Sequence, residues 1–362
     1  MPVTEYYIDV TGGTDTLDPG YGTVGNPWAT LSFAMTIGGA STSGTRYNVK
    51  NTTSGSPHTT TGTLPAGSAS KPVYIAPYST AAGDTADPLY LSGGGSIIWD
   101  QDGIDNINFV DCHFSNYGAG YAFNLDNKCA AYRCTFDGGS GTGAGAGEWD
   151  YDGLFYNCHF KNMESIVHPT TDTSWYFNTI EWSGDYAGYI TEGKVYIGNR
   201  VKMASGSVDA VFKLGYNAMN LVLSNSLYMT TGLNDDYGIL TQTNTVVQHN
   251  YIENAAIGIY NYGKGGLVQD NTYYNCTANH TTRSTTINLK HPTGGANDIT
   301  LAATGLPDIA SVDFTPSTEL RDSTTTMNED LSGQTTGIKQ QFGSVLNVPS
   351  GGLSYIPRLR EE

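Results

Sequence analysis

Charge is scarce in this 362-residue chain: 14% of its residues are Asp, Glu, Lys or Arg. Basic residues are scarcer still, 17 Lys and Arg against 34 Asp and Glu, a formal net charge of −17. Phosphate backbones are bound mainly by Lys and Arg, so nucleic acid is not expected as a partner, nor is an anionic membrane surface. No apolar run approaches the roughly 20 residues of a spanning helix, so no membrane insertion is expected. The opening Met1-Pro2-Val3-Thr4-Glu5 has neither a basic n-region nor an apolar h-region, and no signal peptide is expected. The five cysteines are an odd count that describes no disulfide framework and points to buried thiols. The seven His show no zinc spacing, and no Gly-rich phosphate loop leads from a strand into a helix. No cofactor is therefore expected. Ca2+ stays open through Asp100-Gln101-Asp102-Gly103 and Asp150-Tyr151-Asp152-Gly153, yet both stretches lack the remaining ligands of a calcium loop and suit turns instead.

What the chain does have is 45 Gly, 25 Tyr, 11 Phe and 5 Trp. That many rings need a core, so disorder is excluded, and the mixture suits many short strands joined by tight turns. Self-similarity shows how they are arranged. Eight segments align on one column, from Asn108-Phe-Val-Asp-Cys-His-Phe114 to Leu267-Val-Gln-Asp-Asn-Thr-Tyr273. Their fifth residues are Cys112, Cys134, Cys158, Asn178, Asn199, Asn225, Asn250 and Asn271, at gaps of 20 to 26 residues. Two places later stands an apolar or aromatic residue each time: Phe114, Phe136, Phe160, Ile180, Val201, Leu227, Ile252, Tyr273.

Stacked strands lie about 4.8 Å apart, so identical polar side chains at a bend can hydrogen-bond along the stack and satisfy one another inside a core. Cys, a small buried group, fits the same niche. The fold expected is all-β: a right-handed parallel β-helix solenoid with turns of about 20 residues or more and an N-terminal capping helix. Tyr6-Tyr-Ile-Asp-Val10 reads as a first strand. Asn26 then reads as an N-cap, with Pro27 at the first helical position and Trp28, Leu31, Ala34 and Met35 on one face. Such a helix can cover the open end of a solenoid. The division expected is strand and capping helix over 1–45, β-helix over 46–322, and cap and tail over 323–362.

These segments resemble the right-handed β-helix proteins of the pectate-lyase-like superfamily, particularly the bacteriophage and marine viral versions. The resemblance is carried by Tyr6 to Asp9, the Gly12-Gly13 loop, Pro27-Trp28-Ala29-Thr30, the Pro72 to Thr80 strand and loop, and Val312 to Ser317. It spans roughly residues 5 to 320 and is specific for fold rather than activity, because that superfamily holds lyases, hydrolases, epimerases and non-enzymatic phage spikes.

If the residue two places after each ladder position points inward, those one and three places after it point outward. One outward column is then His113, Thr135, His159, Thr179, Arg200, Ser226, Tyr251 and Thr272. The other is Ser115, Asp137, Lys161, Glu181, Lys202, Tyr228, Glu253 and Tyr274. Tyr228, Tyr251, Tyr274, His159, Arg200, Lys202 and Glu253 are the candidate carbohydrate contacts: rings stack on sugar faces, and charged groups bond hydroxyls. The competing reading pairs Asp137, Lys161, Glu181 and Lys202 as alternating charges on successive turns. Candidate catalytic carboxylates are Asp137 and Glu181, two turns or about 10 Å apart, just beyond the inverting glycosidase range, and the loop acids Asp150 and Asp152. A superfamily lyase would want a carboxylate-bound calcium beside a base such as Arg200 or Lys202. The function expected is a phage virion protein, spike- or fibre-like and homotrimeric. It would be made in the host cytoplasm, assembled with other virion proteins, and would bind host surface polysaccharide. The alternatives are a polysaccharide lyase or glycoside hydrolase, and a non-enzymatic structural or capsid-decoration protein.

Overall fold

The computed structural model describes residues 3–304 except 39–43, 51–55, 60–63, 66, 82–86, 102–103, 118–120, 126–127, 139–144, 146, 150–151, 165–166, 168–171, 184–185, 204–207, 216–219, 230–236, 243–244, 263–265 and 283–297. The expected tail over 323–362, along with Asp102 and Asp150, lies outside the described residues. The chain divides into two compact units, the first running to Thr173 and the second starting at Ser174. Each is a parallel β-solenoid, in which a strand pairs with its counterpart one turn away rather than with its sequence neighbour.

In the first unit, the first sheet runs Thr4–Ile8, Thr45–Lys50, Val73–Tyr78, Ile107–Val110, Ala130–Tyr132 and Leu154–Tyr156. The second sheet runs His58–Thr59, Leu89–Ser92, Cys112–Ser115, Thr135–Asp137 and His159–Met163, and the third Trp99–Gln101, Phe123–Leu125 and Gly147–Trp149. Every register is parallel, for example Phe109 beside Ala131 and Phe114 beside Phe136. A single turn sends Phe109, Phe114 and Phe123 inward from its three sheets, and their rings meet at 5.2 to 5.5 Å. Phe136 stacks on Phe114 at 4.9 Å and Phe160 on Phe136 at 5.0 Å, so the second sheet carries a continuous buried aromatic file.

The capping helix is Leu31–Gly38, and it buries Leu31, Ala34 and Met35. It starts later than Asn26 and Pro27 suggest. Trp28 forms a parallel bridge with Ile8, its N–H bonding Tyr7 O and its carbonyl accepting from Asp9 N, while its ring stacks on Tyr6 at 5.1 Å. Pairing with the strand holds Trp28 outside the helix. Thr30 caps instead, accepting the Phe33 N–H at 3.1 Å, and Asp15 accepts the N–H groups of Ala29 and Thr30.

In the second unit, the first sheet runs Ser174–Tyr176, Val195–Ile197, Asn220–Leu223, Thr245–Gln248 and Gly266–Gln269. The second runs Thr179–Trp182, Arg200–Met203, Ser226–Tyr228, Tyr251–Glu253, Thr272–Tyr274 and Ile299–Thr300. The third runs Tyr186–Gly193, Val208–Leu214, Tyr237–Thr241, Ile257–Asn261 and Ala278–Thr282.

The bend between first and second sheets is the same in both units. The residue before each ladder position sits in the left-handed region: Asp111, Arg133 and Asn157 in the first unit, and Phe177, Gly198, Ser224, His249 and Asp270 in the second. At Gly198 the left-handed φ of 66° suits glycine, and a Cβ there would stand 2.5 Å from the Phe177 ring. After the bend, Asn199, Asn225, Asn250 and Asn271 each donate Nδ2–H to a carbonyl of the preceding turn at 3.0 to 3.1 Å. Asn178, Asn199, Asn225 and Asn250 also donate backbone N–H and Nδ2–H to the Oδ1 of the next rung at 2.8 to 3.0 Å. The thiols of the first unit take the same carbonyl position: Cys134 donates to Phe109 O at 3.5 Å and Cys158 to Ala131 O at 3.3 Å. Asp298 ends the asparagine file. Its Oδ1 accepts the Asn271 N–H at 2.8 Å and its Oδ2 the Tyr273 hydroxyl at 3.1 Å. An ionised carboxylate accepts but cannot donate, which suits a last rung.

Candidate functional site

The outer face of the second sheet in the first unit gathers the densest set of chemically capable side chains. The left-handed bend at Asp111, Arg133 and Asn157 fixes where each strand starts, and the inward phenylalanine file fixes which residues point out. Register then sets His113, Thr135 and His159 in one column and Ser115, Asp137 and Lys161 in the next. Tyr90 joins from the strand before, beside His113, with ring centroids 4.8 Å apart. The bend itself is pinned by Arg133, whose Nε donates to Asp111 Oδ1 at 2.6 Å and whose Nη2 donates to Oδ2, a bidentate pair across adjacent turns.

Asp137 is the hub. Lys161 Nζ lies 2.9 Å from its Oδ2, Asn162 donates Nδ2–H to its Oδ1 at 2.6 Å, and His113 Nε2 stands 3.8 Å from Oδ2. All are partly exposed, with side-chain exposures of 16% for His113, 21% for Asp137 and 34% for Lys161. Burial lowers the His113 pKa, and the Lys161 charge and His159 lower it further against the pull of Asp137, so His113 is neutral at neutral pH. The strip therefore offers a cation, a neutral imidazole, a carboxylate and an aromatic ring within a few strand spacings. It suits recognition of hydroxyls and ring faces. A carboxylate engaged by an ammonium and an amide serves as a charge partner rather than a proton donor.

The remaining candidates are dispersed. Glu181 belongs to the second unit, where register sets it beside Lys202, and Lys202 beside Tyr228. Arg200 pairs in register with Thr179 and Ser226. Asp152 is an exposed turn residue in the left-handed region, φ 52°. Tyr228 and Tyr274 are half-buried on the outer face.

Two expected sugar contacts are corrected. Tyr251 is 0% exposed and Glu253 3% exposed, so neither can meet a ligand on that face. Ser226 and Thr272, from the same expected outward columns, are buried too. At Glu253 a segment from further along the chain takes part. Ile299–Thr300 pairs with Thr272 and Tyr273, and the Thr304 hydroxyl bonds Glu253 Oε2 at 2.9 Å, while the Tyr251 hydroxyl donates to the same oxygen. Burial raises the Glu253 pKa against those two hydrogen bonds.

Sequence reading missed Tyr90, because no ladder residue precedes its strand, and Asn162, whose only mark is a left-handed φ of 55°. It also missed a pair on the third sheet of the second unit: Lys213 Nζ lies 3.1 Å from the buried Glu192 carboxylate and 4.0 Å from the Tyr189 ring centroid. Among the described residues no group of three His, Cys, Asp or Glu converges as a metal site, and Asp100 is engaged by Asn124 Nδ2 at 3.0 Å. The calcium arrangement of a superfamily lyase does not fit these residues.

The chain matches no protein-family model and no curated protein sequence at a significant level. Among solved structures it is similar to the native GH136 lacto-N-biosidase from Eubacterium ramulus, with a TM-score of 0.50 and 12% identity over 83% of this chain and 67% of that one. The likeness is one of fold. A mannuronic acid specific polysaccharide family 6 lyase from human gut microbiota also aligns, with a TM-score of 0.40 and 12% identity over 82% of this chain and 78% of that one.

Proposed function

We propose that the protein binds a polysaccharide along the outer second-sheet face of its first unit. The observation that carries this reading is the strip of Tyr90, His113, Asp137 and Lys161, whose groups recur at the strand spacing and hold one another in place. Rows about 4.8 Å apart suit the repeat of a sugar polymer. The ring offers a stacking surface, and the ion pair offers donors and acceptors for hydroxyls. Kinship of fold with a lacto-N-biosidase supports an action on carbohydrate. In this reading the protein serves as a spike- or fibre-like virion component engaging a host surface polysaccharide, a role supported by the Tyr6 to Asp9 and Pro27 to Thr30 motifs.

Binding is preferred over cleavage. Glycoside hydrolysis needs two carboxyl groups flanking the bond, and among the described residues this cluster holds one, Asp137. A second reading, a lyase acting on a uronate polymer, rests on His113 beside Lys161: a neutral imidazole there can take the proton from the carbon that bears the carboxylate, while the bond from the adjacent carbon to the glycosidic oxygen breaks and leaves a double bond.

A glycan array and affinity electrophoresis against bacterial polysaccharides test the first reading. Lys161→Ala is expected to weaken binding about tenfold, the loss of one charge-assisted hydrogen bond of roughly 1.5 kcal/mol. His113→Ala should weaken it as well. Blank arrays with the folded wild-type chain sink this reading. Unsaturated-uronate absorbance that vanishes in His113→Ala would promote the lyase.

A further inference from the structure

On the second-sheet face of the first unit the charges cancel in pairs. Among the described residues of these strands and of the bend before them, the lysines and arginines are Lys161 and Arg133. Each is held by a carboxylate one turn away. Lys161 Nζ is 2.9 Å from Asp137 Oδ2, its register partner, and Arg133 grips Asp111 through both Nε and Nη2. His113 adds no charge at neutral pH, because burial and the Lys161 ammonium lower its pKa. Glu164, directly after the Lys161 strand, contributes one more half-buried acid. The face therefore carries no surplus of positive charge, in a chain whose formal net charge is −17.

We infer, resting on the glycan reading above, that the polysaccharide bound on this face is uncharged: a polymer of neutral sugars rather than one bearing uronates. Two physical points select that class. First, a ligand carboxylate reaches Lys161 only in competition with Asp137, and drawing the ammonium away leaves a partly buried carboxylate without its cation. A hydroxyl makes no such demand. An ammonium has three N–H donors, and each carboxylate oxygen accepts more than one hydrogen bond. Neighbouring hydroxyls of one sugar can then accept from Lys161 and donate to Asp137 while the ion pair stays closed. Second, a polymer with a carboxylate on every unit meets the repulsive field of an acidic chain, and no spare cation on this face offsets it. Neutral sugar rings can lie against Tyr90 and His113, whose ring centroids are 4.8 Å apart, without that repulsion.

The test is an array of neutral and uronate-bearing bacterial polysaccharides, with every acidic polymer printed both as the free acid and as its methyl ester. The full wild-type chain should bind neutral polymers, with a signal that holds between about 0.01 M and about 1 M salt, a range over which the screening length shrinks roughly tenfold. Free acids should bind at least tenfold more weakly than the neutral polymers at the low-salt end, and esterification should never weaken a signal. Asp137→Asn keeps an acceptor for Asn162 and releases Lys161, so free-acid binding should rise several-fold while neutral binding falls. Should that variant fail to fold, the comparison of acids with esters on the wild type decides alone. Free acids bound better than their esters or than the neutral polymers overturn the proposal and leave polysaccharide binding in place. So does a folded Asp137→Asn whose ratio of acid to neutral binding is unchanged, and so do acid signals that appear only with added calcium, which assign a bridging cation. A folded chain blank on every polymer in every form overturns the glycan reading itself, and the choice of a neutral ligand with it.

Discussion

At the residue scale, Glu253 shows how position in a regular pattern and environment can disagree. By spacing it belongs to an outward column; in the structure it is buried beside Tyr251, with the hydroxyls of Tyr251 and Thr304 both directed at Oε2. Burial raises its pKa, so ionising it costs folding energy as pH rises above the carboxylate's unfolded value near 4.5. Glu253→Gln keeps an acceptor oxygen for both hydroxyls and removes the charge. The variant is expected to melt at a higher temperature than wild type at pH 7 to 8, with the difference shrinking toward pH 4. Thermal melts of both proteins across that range check the sign. A Gln variant less stable at pH 8 would mean the charge is compensated by something not yet identified.

At the element scale, the rung is the unit of stability. Each turn from Cys112 to Asn271 places one ladder residue after a left-handed bend and one apolar residue two places on, and the two act together: the rung satisfies backbone groups that the apolar file would otherwise bury unpaired. Asn225 illustrates the load. It donates to Tyr196 O and Asn250 Oδ1 and accepts from the backbone and side-chain N–H groups of Asn199, all inside the core. Asn225→Ala leaves several buried groups unsatisfied and should cost about 3 kcal/mol or more. Asn225→Cys restores a donor to the carbonyl, as Cys134 and Cys158 provide in the first unit. It offers only a weak acceptor to Asn199 N–H, so its loss should fall between that of Ala and none. Urea unfolding of the two variants measures the order, and an Ala variant as stable as wild type would refute the ladder's role.

At the scale of the whole molecule, wholly or partly buried histidines set the response to acid. Burial lowers the pKa of His58, His113, His249 and His280. The folded state therefore binds fewer protons than the unfolded one near pH 6.5, and stability present above that value is lost as pH falls below it. Asp9 adds a second window. Burial alone would raise it, but Lys50 and the donors of Thr11 and Gly12 hold it at about 2, so its contribution is present above 3.8 and lost toward 2. The melting midpoint should be flat from pH 8 to 7 and decline steadily below 6.5, even though approach to the sequence pI near 4.6 relieves self-repulsion. A midpoint that rises from pH 7 to 5 would show that charge relief outweighs the histidines. At this scale it is also clear what was legible in advance. The fold class, the bend column and the inward aromatic file follow from a pattern repeated every turn, because alternation along a strand and hydrogen bonding along a stack are local rules applied many times over. Chain topology alone brought Tyr90 onto His113, gathered Lys161, Asn162 and His113 around Asp137, and placed Asp298 at the end of the asparagine file. It also buried Tyr251 and Glu253, and set on Glu253 the hydroxyl of Thr304, 51 residues away in sequence. Period and alternation are written in the order of the residues, whereas which outward positions meet water depends on segments that arrive from elsewhere in the chain, and only packing decides that.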